Sequence, residues 1–338
     1  MVIIMNTKMR ILELLEAHRG ETISGEQLAE LLHVSRNAIW KAMGELRGEG
    51  YQITAVTNKG YCLSQENDIL SVQGIKPFLL PECQKYAECI HIYPSLRSTN
   101  QTAKEFAVAG AEHGTTVIAD TQTDGRGRFD RSFFSPAGSG LYLSMVLHPD
   151  ALHFQNKTAV TAFAAVAVCD AIEALSGQKP TIKWVNDIFL HGKKVCGILT
   201  EAVSDFESGR MQWIVLGIGL NIHTKAAAFP EDLQPLASSV YAEETTAALP
   251  NTRNRFAAEI INRILGKEYQ FTEEVLFQKY KERLFILGKE ILVLDGQSAY
   301  HAAALDIDAL GHLIVKDQTG ALHTLMSGEI RIQSVTGR

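Results

Sequence analysis

The chain has 338 residues, 46% of them hydrophobic and 21% charged, with a formal net charge of −6 and a pI near 6.0. That length accommodates two or three domains with at least one substantial core, and the composition is ordinary for a soluble globular protein. The acidic balance excludes nucleic-acid binding through overall positive charge, and the longest nearly apolar run, residues 159–169, falls far short of the ~20 residues that cross a bilayer.

Residues 8–63 read as three helices and a hairpin. Ile11, Leu12 and Leu15 recur at helical spacing, and Gly20 ends that helix. Ser24 is an N-cap for GEQLAELL, with Leu28, Leu31 and Leu32 turned inward. Ser35 caps RNAIWKAMGELRGEG, whose buried stripe is Ile39, Met43 and Leu46, leaving Arg36, Asn37, Trp40 and Lys41 towards solvent. YQITAVTNKGYCLS then alternates as two strands around Asn58-Lys59-Gly60. Two helices joined by a tight turn, the second with a polar N-terminal face, describe a helix-turn-helix, and the hairpin would be its wing. Residues 1–63 carry seven Lys/Arg and seven Asp/Glu, but Arg36, Lys41, Arg47 and Lys59 all fall in the recognition-helix and wing half. That is where phosphate contacts are needed. The expectation is a DNA-binding domain over residues 1–65, with Ser35, Arg36, Asn37, Trp40, Lys41 and Lys59 as contacts. A protein-binding helical domain is the alternative.

Residues 66–89 lack a strong period, contain Pro77 and Pro81, and are expected to link head and body. Ile90, Ile92 and Tyr93 read as a buried strand stopping at Pro94. Ser98, Thr99 and Asn100 then open a helix, either as simple caps or as a polar cluster that reads a small ligand's carbonyl and N–H groups. A strand over residues 115–119 leads to DTQTDGRGRFDRSFFSPAGSG, where Arg126, Arg128 and Arg131 sit among glycines and Gln122 adds an amide. Closely spaced guanidinium forks suit a ligand with several oxyanions. The loop has neither GxxxxGK[ST] nor GxGxxG, so side chains would grip any phosphate there. So polar a segment is expected to order around its ligand.

A helix over residues 158–175 follows, rich in alanine and valine. TIKWVNDIFLHGKKVCGILTEAV reads as strand, turn, strand, with Lys183 in an apolar run. A lysine there is costly unless it meets an anion, or else it guards a sheet edge. Asn186 and Asp187 are turn residues or ligands for a ribose or magnesium. WIVLGIGLN is a buried strand that could set its glycines and Asn221 against a purine. Residues 223–240 form a loop over the site, residues 251–284 are helical, and three or four short strands beyond residue 285 suggest a small barrel. Cys62, Cys83, Cys89, Cys169 and Cys196 make no CxxC pair and no zinc spacing, which fits free thiols, no metal site and a cytoplasmic location.

With SGEQLAELLHVSRNAIWK, NKGYCL, STN at 98–100, GRGR at 125–128, KWVND at 183–187, VCGILTE at 195–201 and GIGLN at 217–221, the chain resembles biotin protein ligases that double as biotin operon repressors. The resemblance covers nearly all of it. It implies an α+β multidomain fold. The parts are an N-terminal winged helix-turn-helix (1–65), a linker (66–89), a central mixed α/β ligase core of the class II aminoacyl-tRNA synthetase/biotin ligase type (90–284), and a C-terminal SH3-like β-barrel (285–338).

The same resemblance implies ATP, Mg2+ and biotin as reactants, with biotinyl-5′-AMP as intermediate and corepressor. The expected partners are biotin carboxyl carrier domains of the acetyl-CoA carboxylase and pyruvate carboxylase type, operator DNA, and a second copy once adenylate is bound; no membrane is involved. Ser98, Thr99, Asn100, Gln122, Arg126, Gly127, Arg128 and Lys183 would bind biotin. Arg128, Arg131, Lys183, Asn186, Asp187 and Asn221 would bind ATP or adenylate. Lys183, Arg128 and Arg126 would carry catalysis, and no residue would be a metal ligand. The chain departs from the family pattern at Arg97, where an acid is usual, at Asp130, the last glycine of GRGRxGR, and at Val185, the proline of KWPND. Two other readings are a small-molecule-sensing repressor without ligase activity and a lipoate or octanoate ligase-type transferase.

Overall fold

The apolar spacing of the first sixty residues produces the expected head. A computed structural model of the protein describes residues 7–332, except 57–58, 153, 155, 205–210, 243–247 and 296–297. Asn58 and residues 333–338 therefore lie outside the described residues. Helices α1 (Thr7–Ala17), α2 (Gly25–Leu32) and α3 (Arg36–Gly48) precede antiparallel strands β1 (Ile53–Val56) and β2 (Gly60–Leu63). Ser24 closes a capping box: its hydroxyl accepts from the Gln27 N–H, and the Gln27 side chain accepts from the Ser24 N–H. Ser35 caps α3 by accepting from the Ala38 N–H. Ile11, Leu15, Leu28, Ile39, Met43, Leu46 and Leu63 close one small core. Leu31, expected inside, is 59% exposed, because Leu28 and Leu32, one turn apart, fill the inward stripe and leave it on the flank. Gly60 is required where it stands. Ile23 pairs beside the hairpin with Tyr61, and a Cβ on Gly60 would meet the Ile23 carbonyl oxygen at 2.0 Å.

Residues 66–89 are not an open spacer. They form a helical turn, α4 (Val72–Ile75), and short 3-10 turns, with Ile75, Leu79, Cys83 and Ala87 buried in the core of the body. Asn254 accepts from the Ser71 N–H and donates to the Ile69 carbonyl; Asn262 does the same for Leu80 and Phe78. Tertiary amide bonds, rather than a regular period, hold this segment.

The body's strands are β3 (Ile90–Leu96), β4 (Thr116–Gln122), β5 (Gly140–Leu147), β6 (Thr181–Lys183), β7 (Asp187–Leu190), β8 (Lys193–Ser204) and β9 (Met211–Asn221). They form one mixed sheet in the order β3-β4-β5-β9-β8-β7-β6. Strands β3 and β4 are parallel and joined by α5 (Thr99–Val108); the other neighbours are antiparallel. Strand β3 continues through Pro94 instead of stopping there. It is an edge strand and Pro94 is skipped in the pairing, so its missing N–H costs little. Strand β6 ends at Lys183, earlier than the spacing suggested, and residues 184–186 make the turn to β7.

Helix α5 covers one face, where Ala103 and Ala107 pack with Val117, Val146 and Val215. The other face carries α6 (Lys157–Ser176), which packs against α7 (Thr252–Leu265) and α8 (Glu273–Arg283). By length and composition α6 is apolar enough to cross a membrane, more so than the run 159–169 alone, but residues 159–169 are buried in the core.

Five strands, one or two more than expected, complete the chain: β10 (Glu290–Asp295), β11 (Ser298–Ile307), β12 (Leu313–Asp317), β13 (Leu322–Leu325) and β14 (Glu329–Ile332). They form an antiparallel sheet ordered β13-β12-β11-β10-β14, and Ile291, Val293, Leu313, Val315 and Ile330 join the body's core. The Trp184 indole donates to the Gly311 carbonyl at 3.0 Å, fastening this small domain beside the β6–β7 turn. The whole is α+β.

Candidate functional site

One cavity of about 390 Å³ lies where β4, the start of α5, the β6–β7 turn, β8, β9, the arginine loop and the C-terminal domain converge. Ser98, Thr99, Asn100, Gln122, Arg126, Gly127, Arg128, Arg131, Lys183, Asn186 and Asp187 all line it, although they come from distant parts of the chain.

At one end the polar groups fix one another. Ser98 occupies the N-cap position of α5, yet its side chain makes no capping bond, and it is 4% exposed. The Thr99 N–H and hydroxyl donate to Gln122 Oε1 at 2.8 and 3.1 Å, and Gln122 Nε2 donates to Ser135 Oγ at 2.9 Å. Ser144 Oγ lies 2.8 Å from Thr99 Oγ1 and 2.6 Å from Asn100 Oδ1. Asn100 Nδ2 donates to Glu201 Oε2 at 2.8 Å. Such a cross-linked network holds its rotamers before any ligand arrives.

The other end is cationic. Lys194 pairs with Asp187 at 2.6 Å, Arg131 pairs with Glu329, and Arg128 donates to Asn186 Oδ1 and to the Gly328 carbonyl, each at 3.3 Å. Among the described residues Lys183 has no hydrogen-bond or ion-pair partner. Burial pushes its ammonium below the ordinary lysine value, against the pull of Asp187. Burial likewise lowers Arg128, again opposed by Asp187. A half-buried cation without a partner favours an anionic ligand.

Arg126 sits at the rim, half-exposed, donating to Asp124 Oδ2 at 3.3 Å; Arg97, the first departure from the family pattern, shares that oxygen at 3.0 Å. The loop folds back on itself through Gly127 N–H to Arg131 O at 2.7 Å and Phe133 N–H to Gly125 O at 2.8 Å. Asp130 has φ +55°, a left-handed conformation that suits the glycine of the family pattern and that aspartate tolerates better than most residues. The Trp184–Val185 peptide is cis, at the place of the usual proline.

Asn221 is the exception among the expected ligand contacts. It does not line the cavity; its Nδ2 donates to the Ser238 carbonyl at 3.1 Å, and its Oδ1 is buried without a partner among the described residues. Within the expected loop 223–240, Leu233, Pro235, Leu236 and Ala237 form part of the wall, pinned to β8 by Lys194 N–H to Leu236 O at 2.9 Å. Sequence reasoning missed Ser135, Ser144, Lys194, Glu201 and Glu329. Glu201 had a readable signal, a charge beside apolar strand residues.

On the head, Arg36, Asn37, Trp40 and Lys41 are exposed along the N-terminal half of α3, and Lys59 is exposed beside the hairpin. Trp40 is 69% exposed, and Arg36 pairs with Glu26. The hydroxyl of Ser35 is used in its cap. Arg47 departs from expectation: Nε donates to the Ile53 carbonyl at 2.8 Å and the guanidinium lies over Tyr61, so it braces the hairpin.

A helix-turn-helix head on an α+β body, with a cavity lined by a polar network and by cations, is the architecture of a DNA-binding protein with a ligand-sized site. Comparison with known proteins makes this specific. Residues 92–221 match the biotin/lipoate A/B protein ligase family, residues 7–62 a helix-turn-helix domain, and residues 286–332 the biotin protein ligase C-terminal domain. The chain is 34% identical over 332 residues to the bifunctional ligase/repressor BirA of Bacillus spizizenii, covering 95% of this chain and 97% of that one. It is 28% identical over 321 residues to the Escherichia coli protein of the same name, covering 93% and 94%. A biotin protein ligase from Aquifex aeolicus, solved with biotin and ATP, superposes with a TM-score of 0.59 at 25% identity, covering 72% of this chain and 98% of that one. The chain belongs to the biotin protein ligase family, with the N-terminal helix-turn-helix of its bifunctional members.

Proposed function

We propose that this protein joins biotin to carrier proteins and represses transcription with the intermediate of that reaction as corepressor. In the first step a biotin carboxylate oxygen attacks the α-phosphorus of Mg-ATP, pyrophosphate leaves, and biotinyl-5′-AMP forms. In the second, the amine of an acceptor lysine attacks the anhydride carbonyl, AMP leaves, and the amine gives up a proton as the amide forms.

The observation that carries the reading is the ammonium of Lys183, without a hydrogen-bond or ion-pair partner among the described residues, in one cavity with Arg126, Arg128, Arg131 and the Thr99–Gln122–Asn100 network. Biotin's ureido ring would sit against Ser98, Thr99, Asn100 and Gln122, with Gly127 and the rim arginines closing over it. Its carboxylate would meet Lys183, as would the α-phosphate. Two anions repel, and a fixed cation between them offsets the repulsion as charge moves in the transition state. No side chain need become covalent; orientation and charge neutralisation suffice.

Arg128, Arg131, Asn186 and Asp187 would hold the nucleotide. The buried, unpaired Oδ1 of Asn221 would accept from a purine amine once residues 233–238 shift. Among the described residues no three His, Cys, Asp or Glu side chains group to hold a metal, and the cavity's acids, Asp187 and Glu329, are already paired. Magnesium would enter with ATP and supply a divalent charge to offset its phosphates.

Ordered by adenylate, two copies would pair and present two α3 helices to a palindromic operator through Arg36, Asn37, Trp40, Lys41 and Lys59. The acceptors would be carrier domains of the acetyl-CoA carboxylase and pyruvate carboxylase type, and the setting the cytoplasm. The test is mass spectrometry of such a carrier domain after incubation with the protein, ATP, magnesium and biotin. A gain of one biotinyl group on one lysine is expected; an unmodified carrier overturns the reading.

A further inference from the structure

The amide of Asn100 has two ends of nearly the same shape, and its neighbours decide which end faces the ligand. Its Nδ2 has acceptors around it: Glu201 Oε2 at 2.8 Å and the Leu199 carbonyl at 3.4 Å. Its Oδ1 lies 2.6 Å from the hydroxyl of Ser144, which can donate. An ionised carboxylate accepts and never donates, so a flipped amide would set oxygen against oxygen at Glu201. Glu201 is kept ionised. Burial pushes its carboxyl up, but the bonds from Lys104 and Asn100 outweigh this and hold it below the usual value. Lys104 Nζ stands 2.5 Å from its other oxygen. Bare backbone completes the seat, since a Cβ on Gly217 would lie 2.0 Å from Asn100 Oδ1.

From this juxtaposition we infer that Glu201 is a positioning residue for ligand recognition. By taking up one N–H of Asn100, beside the Leu199 carbonyl that takes the other, it makes that side chain an acceptor-only reader, selective for a ligand that presents an N–H, as a cyclic urea does. The inference rests on the biotin reading above, in which the ureido N–H is the group concerned.

Glu201→Gln keeps the shape but adds a donor, so both orientations of Asn100 become available. Titration calorimetry of biotin into the full chain tests the idea. Wild type binds; Glu201→Gln weakens binding by about tenfold, the scale of one buried hydrogen bond lost from a reading site. In an Asn100→Ala background the same change alters affinity by less than about twofold, because the residue it acts through is gone. An equal loss in both backgrounds, or no loss in either, overturns the inference while leaving the biotin reading in place. A wild-type chain that binds no biotin overturns both. Thermal melting checks each variant's fold; should Glu201→Gln not fold, Glu201→Asp, which withdraws the carboxylate by one methylene, is read in the same way.

Discussion

Lys183 and Glu201 are both charges beside apolar residues, Ile182 and Trp184 for the first and Ile198, Leu199 and Ala202 for the second. Lys183 was legible because the run around it is short and its motif specific. Glu201 carries the same signal, but its partner Asn100 lies 101 positions away, and only the folded sheet shows that they meet. Lys194 and Glu329 were not legible at all: their importance depends on pairing with Asp187 and Arg131, which no spacing announces. Lys183→Ala should lose biotin-dependent ATP–pyrophosphate exchange by about 100-fold to 1000-fold, the range for removing one preorganised donor. Near-normal exchange would remove it from the mechanism. Burial lowers the Lys183 pKa, so adenylation should fall on the alkaline side before the ordinary lysine value is reached. Lys183→Arg should move that limb upward, since a guanidinium stays charged; an unmoved limb assigns it to another group.

At the scale of elements, helices and strands with a clean period were readable, and those held by tertiary bonds were not. Residues 66–89 looked like a spacer because their order comes from Asn254, Asn262 and neighbouring contacts instead of periodicity. Asp68, in the same junction, accepts from the Arg253 N–H at 2.9 Å, and burial pushes its carboxyl up to about 6 against the pull of Arg253. Because this lies above the unfolded value, the protonated folded form is favoured. That contribution is full below about pH 4, is lost as pH rises through about 6, and is absent above. Asp68→Asn should therefore gain on wild type between pH 4 and pH 7, by about 3 kcal/mol at most. Urea melts at the two pH values measure this, and an unchanged difference between the proteins would clear Asp68 of the effect.

Over the whole molecule, the order of head, body and small β domain was legible from motifs in sequence. The contribution of the last domain to the cavity was not, because Gly328, Glu329 and Ile330 reach it only through β14 pairing with β10. Head and body have separable chemistry in this account. Arg36→Ala should lower operator affinity severalfold and flatten its salt dependence by about one contact, while carrier biotinylation is unaffected. Footprinting at several salt concentrations reads this, and an unchanged slope would take Arg36 off the phosphate backbone.

The central claim is that a biotin carboxylate and the α-phosphate of ATP meet at Lys183. Exchange of labelled pyrophosphate into ATP by the purified wild-type chain tests it most directly. Exchange should appear only when biotin is added. Exchange indifferent to biotin, or none from folded protein supplied with biotin, ATP and magnesium, would contradict it.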